Sequence, residues 1–362
     1  MRYFWAILLL ACAAGAQVAP SGFRHAVPGW RFAFPRDHGA HPEFQTEWWY
    51  YTGHLLSAEG RRYGFELTFF RVGVHAERRG ANPWDLRDLA LTHFAISDID
   101  GRKFRYHEKV NRMSRYTAGA GEGDLNLFNE GWSAVALPDG RWRIRASEKG
   151  DSIDLVLRAV KPPAIHGTDG VSVKGAAEGA ASHYYSMTRL EAEGSIRAGG
   201  TEERCRGQAW MDHEFSTSVL GEEQKGWDWF SLQFDDGTEL MLYQMRHRDG
   251  SIDPASSGSW VDARGGVEML RAGEYAIEPV GTWRSPKSGG VYPMGWRLSI
   301  PRMGLRIDVR EEMKDQELVT SSSTGVTYWE GAVTARGTAR GKPVRAKGYV
   351  EMTGYAAPFK LP

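Results

Sequence analysis

Cysteine is almost missing from this 362-residue chain, which holds only Cys12 and Cys205. A disulfide framework is therefore excluded as the source of its stability. An excess of one charge is missing too, because Lys plus Arg equals Asp plus Glu at 45 each. Without a basic surplus, a general nucleic-acid-binding role is disfavoured. Past the first residues, no apolar run reaches the ~20 residues of a membrane-spanning helix. Long helical periodicity is also lacking, as are the HExxH, G-x-S-x-G, Walker A and G-x-G-x-x-G patterns. These absences remove the simple metalloprotease, serine hydrolase and nucleotide readings, and no metal or cofactor is expected.

Aromatic side chains, by contrast, are abundant: 14 Trp, 14 Tyr and 15 Phe. That is more than a core of this size requires, and rings lining a concave site suit an apolar ligand. The N-terminus, MRYFWAILLLACAAGAQ, combines one Arg, an apolar run and small residues. It reads as a secretory signal over residues 1–16, with an A-x-A site at Ala14-Gly15-Ala16. A competing reading makes Leu9-Leu10-Ala11-Cys12 a lipobox, with Cys12 lipidated. Either way the expected location is a bacterial cell envelope, periplasmic or secreted.

Short alternating runs separated by turn signals dominate the remainder, which predicts an all-β fold. Tyr63–Phe70 and Gly226–Phe234 are two such runs. Asp100-Gly101, Asp139-Gly140, Asp236-Gly237 and Asp249-Gly250 are predicted hairpin turns, because Gly accepts the positive φ they need. Turns at this spacing fit an antiparallel meander that can close into a barrel. Both halves open with an aromatic strand, a Gly turn and a second amphipathic strand: Trp48-Trp49 to Tyr63-Gly64, and Trp227-Asp228-Trp229 to Leu240. That echo predicts two related barrels, 17–200 and 201–362, with a boundary near residue 200.

Two segments concentrate chemistry on these strands: HPEFQTEWWYYTGHL from His41, and AWMDHEF with GWDWFSLQF from Ala209 and Gly226. On a strand from Glu47, one face carries Glu47, Trp49, Tyr51 and Gly53, and the other Trp48, Tyr50, Thr52 and His54. Neither face is polar, so both are expected to be covered, one by a barrel interior and the other by the second domain or a loop. Glu66, alternating with Phe65 and Leu67, must pair with Arg71 or His93 or be held protonated, since a lone buried carboxylate is costly. Asp212, His213 and Glu214, set between Trp210 and Phe215, are candidates for proton transfer because burial and neighbours can tune them. Tyr184-Tyr185-Ser186 offers a hydroxyl.

With these motifs, and with YGFELTFFR, HYYSMTRLEAEG and a closing GYVEMTGY, the chain resembles the AttH family from about His38 to Tyr355. That family is related to carotenoid 1,2-hydratase. The resemblance implies two tandem lipocalin-like barrels with a cavity near their junction. It also implies a hydratase site in which His213 and Phe215 match a His and an aromatic, and Tyr243 and Met245 match a Tyr and an Asp. The acid position is thus lost at Met245, so Asp212, Glu214 or Glu47 would have to supply the proton. Secreted relatives are often encoded beside envelope ABC-transport components, which implies a transporter as partner.

The expected function is binding of an elongated hydrophobic molecule, a lipid or isoprenoid. Glu47, Trp48, Trp49, Tyr51, His54, Glu66, His93, Tyr184, Trp210, Trp227 and Trp229 are its expected contacts. The alternative is an acid–base enzyme on such a ligand, a hydro-lyase, isomerase, cyclase or secreted hydrolase, with Asp212, His213, Glu214 and Tyr243 as its catalytic groups.

Overall fold

The computed structural model describes residues 18–77, 86–217 and 220–358. The leader and Cys12 lie outside them. Among the described residues the regular secondary structure is all strand, apart from two single-turn 3-10 segments, Arg36–His38 and Pro301–Met303. The strands form two antiparallel sheets built on one plan.

In the first sheet, Thr46–Ser57, Arg62–Gly73, Asp88–Asp98 and Lys103–Arg112 follow one another outward as a meander. The other flank of Thr46–Ser57 is taken by the sheet's last strand, Glu203–Ser216, followed by Ala181–Ala198 and Asp151–Ala159. The second sheet repeats this. Gln224–Phe234, Glu239–His247, Ser257–Val261 and Val267–Arg271 run outward, and the last strand, Lys342–Thr353, pairs back onto Gln224–Phe234. Pairing the last strand with the first is what curls a meander into a barrel and protects its edges. In the first sheet, side chains nearly complete the closure. Asn129 accepts from Asn111 at 2.8 Å and donates to Thr92 at 2.9 Å across the remaining gap.

The changeover between sheets falls after Ser216, not near residue 200. Glu203–Ser216 pairs with Thr46–Ser57 from Cys205↔Ser57 to Ser216↔Thr46 and with Ala181–Ala198 on its other side, so it is an inner strand of the first sheet. The Gly-rich turn at 199–200 is a hairpin within that sheet.

Strand alternation then sorts side chains into three cores. Trp49, Tyr51, Phe65, Leu67, Phe94 and Met211 fill the first barrel. Phe230, Leu232, Trp296, Trp329 and Val350 fill the second. The opposite faces meet back to back, burying Tyr50, Tyr184, Trp210, Trp229, Tyr243 and Tyr349 between the sheets. Both faces of the central strands are thus covered, which explains why neither reads as polar. Gly64 permits this approach, since a Cβ there would come within 2.4 Å of the Tyr349 hydroxyl and 3.0 Å of Ala332.

A register shift between Met187 and Leu190 re-aims Arg189 across the junction, as bulges commonly do. There Arg189 and Lys161 each meet the Glu239 carboxylate at 2.6 Å. Three of the four Asp-Gly turns have glycine at positive φ, namely Gly140, Gly237 and Gly250. In the fourth, positive φ falls on Arg102. Gly101 is there for space: its amide bonds Asp98 Oδ1 at 2.9 Å, and a Cβ would strike that carboxylate.

Candidate functional site

A cavity of about 160 Å³ opens between the two sheets. Its walls come from the outward faces of both barrels: Trp48, Tyr50 and Phe70, Tyr184, Asp212 and Glu214, then Trp227, Trp229, Tyr243 and Glu351. Half-buried Trp48, Trp227 and Leu220 bring it towards solvent. Among the described residues the interior of each barrel is filled by packed side chains, and this cavity lies between the barrels.

Asp212 is the most heavily supported polar group in the wall. Its Oδ2 accepts from the Tyr184 hydroxyl at 2.6 Å, and its Oδ1 from Trp210 Nε1 at 2.6 Å. Ser186 Oγ also bonds Oδ1. Tyr184 is fixed in turn by Trp229 Nε1 at 3.1 Å. Burial pushes the Asp212 carboxyl up to about 7, against the pull of these hydrogen bonds. Glu351, held by Trp227 Nε1 at 2.8 Å, is likewise pushed up to about 7 by burial, with Asp212 and Glu214 adding to the rise. Two carboxyls that ionise near neutrality in an aromatic wall are poised for proton transfer.

A cation balances the third carboxylate. Lys174 Nζ lies 3.1 Å from Glu214 Oε1 and sits over the rings of Tyr243 at 4.1 Å and Tyr184 at 4.8 Å. Burial opposes its charge, but Glu214 and Tyr243 hold its pKa above the ordinary value. The Tyr243 hydroxyl is already engaged, donating to the Val173 carbonyl at 3.0 Å and accepting from Ser257 at 2.8 Å. Its ring, not its hydroxyl, faces the cavity's cation. His93 also lines the space. Its nitrogens are taken by Tyr328 at 2.7 Å and Ser323 at 2.9 Å, and burial lowers its pKa to about 3.

Of the residues expected from sequence, Trp48, His93, Tyr184, Trp227, Trp229, Asp212, Glu214 and Tyr243 line this cavity. The others do not. Glu47, Trp49, Tyr51 and His213 lie on the opposite face of their strands, inside the first barrel, as the two-residue period requires. His213 stacks on Trp49 at 4.5 Å and bonds Glu47 at 2.9 Å. Trp210 is buried beside Asp212 and positions it. His54 spends its Nε2 on the Gly348 carbonyl at 2.9 Å, bonding sheet to sheet. Glu66 pairs with neither Arg71 nor His93. Arg71 sits an odd number of residues away and points to the other face, towards Glu47 and Asp88 at 3.0 Å each. Burial instead raises the Glu66 carboxyl to about 8, with the Thr68 hydroxyl donating to its Oε1.

Inside the barrel, His41, Glu47 and His213 bring three donor atoms within 4.8 Å of one another, a set of the kind that holds a divalent ion. Glu47 is already saturated, however. It accepts from the His41 amide at 3.0 Å, His41 Nδ1 at 2.8 Å, His213 Nε2 at 2.9 Å and Arg71 Nε at 3.0 Å. His41 spends its other nitrogen on Asp37 at 3.2 Å. This is a hydrogen-bonded staple that ties the Arg36–His38 turn to the barrel mouth. Burial weighs against a charged His41, but Asp37 and Glu47 prevail and hold it at about 9.

Sequence reasoning left Tyr50 and Glu351 off the list of site residues, missed Lys174 and His166, and gave Ser186 only as a hydroxyl beside Tyr184 and Tyr185. Parity would have found the first two, because Tyr50 shares a face with Trp48, and Glu351 one with Tyr349. Lys174 and His166 lie outside the long strands, where no periodic signal exists.

With this geometry in place, similarity to known proteins adds a lineage. The profile of the AttH-like family matches residues 25–355. A crystal structure from Nitrosomonas europaea that carries the AttH name is 35% identical and superposes with a TM-score of 0.80, over 91% of this chain and 98% of that one. Kievitone hydratase from Fusarium solani subsp. phaseoli is 20% identical over 269 residues, covering 72% of this chain and 74% of its own. The crystal structure of kievitone hydratase from Nectria haematococca shares the fold at a TM-score of 0.69 and 14% identity, over 90% and 93% of the two chains. The chain belongs to the AttH-like family, and its fold is two tandem lipocalin-like barrels.

Proposed function

We propose that the cavity between the barrels binds an apolar, ring-bearing small molecule and adds water to, or removes it from, a carbon–carbon double bond. Asp212 is the acid. One observation carries this reading: a carboxyl in an aromatic wall, fixed by Tyr184 and Trp210 and raised by burial to about 7. An acid works best when its pKa lies near the operating pH.

In the proposed step, Asp212 gives its proton to one alkene carbon, and positive charge develops on the neighbouring carbon. The ring faces of Trp48 and Trp229 and the charge of Glu214 steady that cation. Water then adds to it, and the proton it sheds returns to the Asp212 carboxylate. Family membership supports the reading, and so does the name of a relative that is a hydratase of kievitone. The volume narrows the ligand. At about 160 Å³ the space resembles the roughly 150 Å³ that accommodates benzene, so a ring fits inside and a long isoprenoid would have to extend outwards. Export to the envelope, read from the leader, completes the proposal.

The test is a panel of prenylated phenols and short isoprenoid alkenes, scored by mass for gain or loss of water, with binding read from Trp fluorescence. Asp212→Asn should bind the same compound within a few-fold yet lose turnover by ~10²-fold or more, the usual scale of general acid catalysis. The wild-type rate should fall as pH rises through about 7, where Asp212 loses its proton. Full turnover by Asp212→Asn removes the acid role. Tight binding with no turnover by the wild type leaves a carrier protein.

A further inference from the structure

Asp212 does not end at its own hydrogen bonds. Ser186 Oγ, bonded to Asp212 Oδ1, is also 2.7 Å from His166 Nε2, and His166 Nδ1 is 2.8 Å from Ser259 Oγ. Ser259 in turn reaches Met269 Sδ at 3.3 Å. The array starts in the cavity wall, crosses the junction and ends in the second sheet. Its three middle members are shut off from solvent: Ser186 and Ser259 are 0% exposed and His166 is 1% exposed. His166 does not line the cavity.

Every member between Asp212 and Met269 can reverse its polarity. A hydroxyl donates or accepts, and a neutral imidazole carries one proton on either nitrogen. Two arrangements satisfy every contact from Asp212 to Ser259, and the Ser259–Met269 bond is made only in the second. With Asp212 ionised, Ser186 donates to the carboxylate, His166 donates to Ser186 from Nε2, and Ser259 donates to Nδ1. With Asp212 protonated on Oδ1, that proton is donated to Ser186, Ser186 donates to Nε2, Nδ1 donates to Ser259, and Ser259 donates to Met269. The states differ by one proton, the one on Asp212. The ring keeps a single proton in both, on opposite nitrogens.

We propose that His166 is the tautomeric partner of Asp212, a positioning residue that supports the carboxyl through Ser186 both before and after it gives up its proton. A fixed donor would favour only the ionised acid and a fixed acceptor only the neutral one. An acid that must release and recover a proton each turn needs both, and a tautomerising ring supplies them. Burial keeps His166 neutral by lowering its pKa to about 3, with the Lys174 charge acting in the same sense. The groups facing this array are Tyr184, whose ring centroid lies 4.3 Å from that of His166, and Lys174, Glu214, Glu330 and Glu351 around Asp212. The inference rests on Asp212 as the cavity's acid, but its test reads the ring and not the reaction.

The experiment is 15N NMR of the full chain labelled at histidine, followed across neutral pH beside the 13C signal of the Asp212 carboxyl. The expected result is that the His166 proton moves from Nδ1 to Nε2 as pH rises, with the midpoint of the Asp212 carboxyl and with no imidazolium stage. In Asp212→Asn the ring should hold one tautomer throughout. A ring that keeps its tautomer while the carboxyl titrates overturns the inference and leaves the acid role of Asp212 standing. A swap that persists in Asp212→Asn overturns it as well. Loss of turnover in Asp212→Asn is a separate measurement.

Discussion

Glu239→Gln should cost the protein about 3–5 kcal/mol, the range found when one partner of a buried ion pair is removed. The carboxylate is wholly buried and receives two cations from the first-sheet side, Lys161 Nζ and Arg189 Nε, each at 2.6 Å. Both are nearly buried themselves, with side chains 7% and 11% exposed. Both also bond backbone carbonyls of the second half, Asp262 at 2.8 Å for Lys161 and Phe234 at 2.9 Å for Arg189, and Arg189 keeps one bond to Gln208 Oε1 at 3.0 Å. Gln keeps the shape and removes the charge, so two cations would remain between the sheets without a counter-charge. Urea midpoints for the wild type and the variant measure the loss. A change of only ~1 kcal/mol, the scale of an exposed pair, would mean that water already reaches this clamp.

How much of this was legible beforehand depends on where each residue sits. The strands and their turns were, because period-two alternation with Asp-Gly punctuation is a local signal. The two faces of Thr46–Ser57 could also be written out correctly from the sequence alone. Which face belonged to the site could not, since both are aromatic and both are buried. Trp49 and Trp48 look alike in composition, yet one packs on His213 inside a barrel and the other borders the cavity. The Asp212-His213-Glu214 run was readable in a way that grouping by proximity obscured. Three consecutive strand residues cannot all face one site, so the histidine had to part from its acidic neighbours. The placement of Glu203–Ser216 was beyond local reading, because its partner strand, Thr46–Ser57, lies some 150 residues away in sequence. His166 was illegible for the same reason: only the tertiary fold brings it to Ser186 and Ser259.

Glu66→Gln should stabilise the protein, and the gain should depend on pH. Glu66 is fully buried on the junction face, and its Oε2 has no hydrogen-bond partner. Burial raises its carboxyl from 4.5 to about 8. Between those values the folded state holds a proton that the unfolded chain has released, so stability falls as pH rises, by up to about 1.4 kcal/mol per pH unit. Below the unfolded value both states are protonated and the penalty vanishes. Glutamine has no proton to lose, and the Thr52 hydroxyl, also unpartnered and directly across on Thr46–Ser57, can accept from its amide. The variant should therefore match the wild type near pH 4.5 and exceed it by roughly 2–4 kcal/mol in mildly alkaline buffer. Urea denaturation at the two pH values checks this, and an equal difference at both would show that Glu66 stays ionised in the folded protein. The junction would then hold a charge that nothing nearby balances, since Arg71 and His93 are committed elsewhere.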